Sequence, residues 1–182
     1  MRRSRGFTLV ELLVVIAMIA MVAAMAASSM RATRGDKIAS FGRALIAQVN
    51  TVRHTAITQQ QATRLYVQKS GVIYTLAAQV WNPSTTSFQD LGGTLTAPMD
   101  VQMCVPDSSA KMTTSTPTCP LTAAFAVCFL PSGASYLQTT TSCPIVAAPG
   151  GATLYATTPT QDKKLKLPLF GLTGMAKLMD QW

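Results

Sequence analysis

The sequence predicts an α+β protein, a long N-terminal helix packed on an antiparallel β-sheet head. Three observations carry this. Residues 7–30 (FTLVELLVVIAMIAMVAAMAASSM) are an apolar run with one charge, Glu11. Residues 36–57 repeat their apolar side chains at spacings of three and four, the period of a helix with one buried stripe. After the Gln59-Gln60-Gln61 run the period becomes two, that of a strand with one buried face. A helix followed by antiparallel strands is the α+β order.

The chain opens with a short basic leader, residues 1–6, containing Arg2, Arg3 and Arg5. A secretory signal also pairs basic residues with an apolar run, but its small-residue cleavage site follows that run, and here Gly6 precedes it. Residues 7–30 would span about 36 Å as a helix, enough for a hydrocarbon core of ~30 Å. Arg31 and Arg34 bracket the far side. The denser cluster at the leader favours a cytoplasmic N-terminus, a signal that the far-side arginines weaken. Glu11 is the only glutamate in the chain. An ionised acid in hydrocarbon costs several kcal/mol unless it is paired, so such a residue reads as functional, with snorkelling to the nearby interface as the plain alternative.

The helix is expected to continue through 31–62, since no proline occurs before Pro83. Ile38, Phe41, Leu45, Val49, Val52 and Ala56 form its stripe, with Lys37, Arg43, Asn50 and Arg53 between them. Asp36 reads as a first-turn acid or cap, and Gly35 and Gly42 as places for local bends. Arg53 and His54 read as solvated. The head then occupies 63–182. Arg64–Lys69, a Ser70-Gly71 turn and Val72–Leu76 read as a hairpin, and Ala123–Leu130 as a strand ending in a Pro131-Ser132-Gly133 turn. Residues 82–98 and 106–120 are rich in turn residues, Thr and Ser, and read as loops. In Lys163–Leu169, Leu165, Leu167 and Leu169 alternate with Lys164 and Lys166, and Pro168 suits an edge strand.

Cys104, Cys119, Cys128 and Cys143 include no C-x-x-C pair, and the single histidine is remote, so zinc spacing is absent. An even count in a Thr/Pro-rich segment beyond an anchor reads as two disulfides formed in an oxidising compartment, with four buried thiols as the alternative. Of the three connectivities, the local one is expected, Cys104 with Cys119 and Cys128 with Cys143, because short loops close most easily.

The formal net charge is +8. Without the three leader arginines, 12 basic residues face 7 acidic ones, an excess that permits contact with nucleic acid or anionic lipid without arguing for either. No catalytic constellation is legible: there is no Gly-rich phosphate loop and no ligand cluster, and Asp90, Asp100 and Asp107 fall in turn-like sequence, where Asp is common for backbone reasons. Neither an enzyme activity nor a cofactor nor a metal is expected.

Arg5-Gly6-Phe7-Thr8-Leu9-Val10-Glu11 followed by an apolar helix resembles the class III leader and N-terminal segment of type IV pilins and pseudopilins. The resemblance implies a prepilin peptidase cut after Gly6, methylation of the new N-terminal Phe7, and a role for Glu11 in subunit register through the Phe7 amine of a neighbour. Val52–Gly71 (VRHTAITQQQATRLYVQKSG) is similar to the helix-to-first-strand passage of the GspH/FimT group, and Phe129-Leu130-Pro131-Ser132-Gly133 and Gly174 are similar to its later landmarks. Residues 82–120 carry no such likeness. A pilin-like fold is thereby implied, with residues 1–6 as leader, 7–30 as transmembrane and filament-core helix, 31–62 as its amphipathic continuation and 63–182 as a periplasmic head.

The function implied is that of a structural minor pilin that starts or caps a type IV pilus. Its partners would be major and minor pilins, the prepilin peptidase and the inner-membrane assembly platform. The subunit would wait in the inner membrane and then enter the filament. One alternative is an H-type pseudopilin of a type II secretion pseudopilus. Another is a DNA-binding FimT-like pilin, with Lys163, Lys164, Lys166 and Lys177 as candidate phosphate contacts. DNA-binding members resemble one another in a G-R-x-R tail, where this chain has Gly174-Met175-Ala176-Lys177 without arginine, so nucleic acid is not the expected partner.

Overall fold

The computed structural model of the chain describes residues 9–112, 116–139, 143 and 149–180, with side chains described outside 24–35. It divides into two compact units, Met1–Asp36 and Lys37–Trp182. Helix α1 (Leu9–Gln59) runs through the first unit and opens the second, so Asp36 lies within a helix and does not start one.

In the second unit the predicted stripe is the buried one. Leu45, Val49, Val52 and Ala56 are fully buried, and Ile38 and Phe41 nearly so. Burying a side chain of the Val, Ile, Leu or Phe class contributes about 1.5–3 kcal/mol, so this stripe is a large share of what holds the helix to the sheets.

Among the described residues nine strands follow: β1 (Thr63–Ser70), β2 (Ile73–Asn82), β3 (Ser87–Asp90), β4 (Leu95–Thr96), β5 (Gln102–Met103), β6 (Phe125–Phe129), β7 (Ser135–Gln138), β8 (Ala152–Thr157) and β9 (Lys164–Leu169). Sheet A has the order β3-β2-β1-β6-β7, with β4 also paired to β2, and sheet B has the order β5-β8-β9. These strands pair antiparallel throughout, and an isolated bridge between Tyr136 and Gly151 is parallel. The fold is α+β. Leu65 and Val67 of β1, Leu76 and Ala78 of β2, and Val127 and Phe129 of β6 join the helix stripe in one core. Sheet B adds Leu154, Leu165, Leu167 and Leu169 to the same core.

The β1–β2 hairpin turns at Gly71, whose φ of +62° suits glycine, and its register pairs Ser70 with Ile73 and Thr63 with Val80. Residues 82–98, expected as a loop, instead carry β3 and β4. The Trp81 and Phe88 rings meet edge to face at 5.2 Å, and Gln79 Nε2 donates to Asp90 at 2.7 Å. Two cross-strand pairs thus hold a segment whose composition reads as turn.

Gly42 marks close packing and not a bend. A β-carbon there would lie 2.2 Å from Leu165 Cδ1. The bare α-carbon lets β9 approach α1.

Cys104 is bonded to Cys119 and Cys128 to Cys143, the sequence-local arrangement.

Candidate functional site: the N-terminal motif and the faces of the head

Gly6 and Phe7, the expected processing residues, lie outside the described residues. Glu11 sits in the first turn of α1, where the helix macrodipole favours an acid. Around it every large apolar side chain from Leu9 to Val22 is exposed, from Leu9 at 76% to Val15 at 44%. A helix apolar on all sides calls for a hydrophobic surrounding. Among the described residues no helix is long and apolar enough to cross a membrane. The expected span, 7–30, lies partly outside them.

The head has three features that position its surfaces. At the end of α1, Arg53 Nε donates to the carbonyl of Thr173 at 2.6 Å, so this side chain ties the helix to the C-terminal segment, whereas the sequence suggested a solvated arginine. Beside it Gly174 and Gly133 meet backbone to backbone. Both carry left-handed φ values, +61° and +82°. Gly174 N–H donates to Phe170 O, and Phe170 N–H donates to Met175 O, closing a tight turn that exposes Leu172 and Met175.

On the outer face of sheet A, Arg64 is buried among partners the sequence reading missed. Its guanidinium stacks 4.0 Å over Phe88 and 5.1 Å from Tyr66. Its Nε donates to Gln79 Oε1 at 2.6 Å, and Gln79 passes the chain of polar contacts on to Asp90. Burial lowers the Arg64 pKa, and the fields of Tyr66 and Asp90 partly offset that. A signal was present: an arginine at the start of an alternating strand, on the face that also holds Tyr66, requires an aromatic or acidic cover.

The third feature is on the outer face of sheet B. Lys166 was expected to be an edge-strand lysine that discourages strand pairing or a phosphate contact. It is 1% exposed and stands opposite Tyr155 in the β8–β9 register. Burial lowers its pKa, the field of Asp107 raises it in part, and Lys111 opposes that rise. A side chain so covered cannot meet a phosphate backbone. Of the other three candidates, Lys163 and Lys177 are exposed and Lys164 is half-buried. They form no patch: Lys163 precedes β9, while the Lys177 N–H bonds to the carbonyl of Pro168, about 17 Å along the strand by the usual rise per residue.

The aspartates expected in turns for backbone reasons also have side-chain partners. Asp100 pairs with Lys37 at 2.7 Å, and Asp107 with Lys111 at 3.1 Å and with the Tyr155 hydroxyl at 2.6 Å. Among the described residues no group of three His, Cys, Asp or Glu side chains could hold a metal ion.

Compared with known proteins, residues 1–27 match the family model described as the prokaryotic N-terminal methylation motif. Two solved structures of the minor pseudopilin EpsH from the type II secretion system of Vibrio cholerae are similar to the chain. One has a TM-score of 0.55 at 11% identity and covers 81% of this chain and 96% of its own. The other has a TM-score of 0.47 at 12% identity, covering 76% and 93%. No curated protein matches in sequence. The chain thus joins a prepilin-type N-terminus to a pilin-like α+β fold.

Proposed function

We propose that this chain is a structural minor pilin or pseudopilin. Prepilin peptidase trims it after Gly6, the new Phe7 amine is methylated, and residues 7–30 hold it in the inner membrane with the head in the periplasm. From there it enters a filament through contacts of its apolar helix with other pilins. The methylation motif over residues 1–27 carries this reading. The apolar helix supports it, because side chains from Leu9 to Val22 left in water would each forfeit on the order of 1.5–3 kcal/mol. The lipid of the membrane first, and then neighbouring helices of a filament, supply the missing cover.

Within that class we favour a minor pilin that starts or caps a type IV pilus. The second reading, an H-type pseudopilin, is supported by the fold likeness to EpsH. DNA uptake is disfavoured, since Lys166 is buried and the remaining lysines are dispersed. Mass spectrometry of the protein from its native host tests processing, with mature protein beginning at methyl-Phe7 as the expected result. Quantifying the subunit in sheared filaments from strains lacking either the pilus or the secretion assembly ATPase separates the two readings. Unprocessed protein, absent from both kinds of filament, would overturn the proposal.

A further inference from the structure

Lys166 is the one lysine of the described head that sits in the interior, and a segment whose Asp107 and Lys111 charges reach it is closed by a disulfide. Its ring of neighbours can be read residue by residue. Thr153 and Tyr155 of β8 share its face of sheet B, paired with Pro168 and Lys166. Beside β8, on the side away from β9, runs the segment Val105–Lys111, and its end from Ser109 to Lys111 turns over the Thr153 side chain on that face. Asp107 exchanges two backbone hydrogen bonds with Thr153, at 3.0 and 2.9 Å. Thr153 Oγ1 donates to Ser109 O at 2.6 Å and accepts from the Lys111 N–H at 2.8 Å. The Tyr155 hydroxyl donates to Asp107 Oδ2, and Lys111 Nζ pairs with Oδ1 of the same carboxylate. All of these ties end on two β8 residues, Thr153 and Tyr155, or on Asp107 itself.

The segment follows β5 through Cys104, whose N–H bonds to Tyr155 O, and it is pinned where Cys104 meets Cys119. We infer that Val105–Lys111 is a strap latched by the Cys104–Cys119 disulfide, and that closing this bond is what shields the Lys166 amine from solvent. Oxidation then completes the outer face of sheet B, bringing the Asp107 carboxylate to the buried lysine. With the thiols reduced, the strap keeps its hydrogen bonds and the Lys111–Asp107 ion pair, for all of which water competes. Its release exposes an amine together with the carboxylate that compensates it. Burial holds the Lys166 pKa below the ordinary lysine value, so the released amine gains solvation that the covered one lacks, which also favours the open strap in the reduced protein. The second disulfide, Cys128–Cys143, belongs to the outer face of sheet A and has no part in this cover. The inference stands whether or not the chain enters a filament.

The test is pulse labelling of the detergent-solubilised full chain with an amine-reactive ester, read by peptide mass spectrometry. Lys69 and Lys163, both exposed, serve as internal references. In the oxidised protein Lys166 should label far more slowly than either. In the variant Cys104→Ser/Cys119→Ser it should label on the order of 100-fold faster, the ratio that corresponds to losing closure of a loop of about 15 residues. Hydrogen exchange at Leu65 and Val67, in the centre of sheet A, should stay slow in that variant. Cys128→Ser/Cys143→Ser should leave Lys166 slow. Slow labelling in the first variant, or equally fast labelling in both, overturns the inference. If the first variant loses sheet A protection, Tyr155→Phe decides with both disulfides intact. It removes one tie to a carboxylate and should speed Lys166 about tenfold, and an unchanged rate there refutes the strap.

Discussion

Gly174 lies against the backbone of Gly133 so closely that a β-carbon on Gly174 would sit 2.2 Å from the Gly133 carbonyl oxygen. The two residues are 41 positions apart in sequence and belong to different turns, the one after β6 and the one after β9. Their contact locks the C-terminal turn to the end of the helix, where Arg53 makes its bond to Thr173. Replacing Gly174 by Ala adds a clash with backbone to a left-handed φ. The expected loss is about 2 kcal/mol or more. Guanidinium unfolding of the detergent-solubilised chain, followed by tryptophan fluorescence, measures it, and an unchanged midpoint would show that the turn moves freely.

Gly42→Ala sets two effects against each other. Alanine is the better helix former by about 1 kcal/mol. The added methyl, however, overlaps Leu165, which is itself buried, and lies 3.3 Å from Leu178 Cδ1. Overpacking of this kind costs about 1–3 kcal/mol, so the net effect should be destabilising. The double variant Gly42→Ala/Leu165→Val should recover part of the loss, which distinguishes a steric cause from one in the helix backbone. The same unfolding assay reads both.

Glu11→Val probes assembly apart from anchoring. Removing an acid from an apolar segment leaves insertion unchanged or slightly better, and trimming after Gly6 should persist because it depends on the leader and the glycine. On the proposed function, the variant removes a charge partner for the new Phe7 amine inside the helix bundle, where an unpaired ammonium is costly. Processed protein should therefore accumulate in the membrane and be depleted from sheared filaments. Parent-like incorporation would reduce Glu11 to a snorkelling residue.

The pH response at the alkaline end should report on the small cluster of the outer face. Tyr136 packs with Ala126, Cys128, Leu130 and Ala134, and burial pushes its hydroxyl up from 10.0 to about 12. A raised tyrosine pKa means that the folded state keeps a proton the unfolded chain gives up. Its contribution is complete below pH 10.0 and is lost as the pH rises through about 12. The Tyr74 hydroxyl is raised in the same direction by its own burial. Unfolding midpoints should fall over this range and fall less in Tyr136→Phe. Parallel curves for parent and variant would remove Tyr136 as the cause.

How much of this was legible in the sequence depends on the kind of interaction that places each residue. The helix stripe from Ile38 to Ala56 could be read because a single period repeats over five turns and nothing competes with it. The first hairpin was legible for a similar reason, since a two-residue turn with Gly71 at positive φ joins two alternating runs. Residues 87–96 defeated the reading because what pairs them, Phe88 with Trp81 and Asp90 with Gln79, lies on another strand. β5, β7 and β8 were missed as well: β5 is two residues long, and β8 is buried on both faces, which removes the alternation. Lys166 shows the same limit most sharply. Alternation put it on the outer face correctly, but nothing local says that a segment some 60 residues earlier covers that face.

The order in which the strands pair has a consequence for how the head can be delivered. β1 waits for β6 to pair Leu65 with Val127, while β5, lying between them in sequence, waits for β8 to pair Gln102 with Thr157. These two closures overlap along the chain like links of a clasp, so no cut after β2 yields a finished half. A polypeptide emerging N-terminus first must carry β5 unpaired until more than 50 further residues have followed it. A premature stop before β6 leaves β1 and β5 each with an open edge, not a smaller folded piece. The head is therefore delivered whole or not at all, and truncated copies present the open strand edges on which other chains can pair.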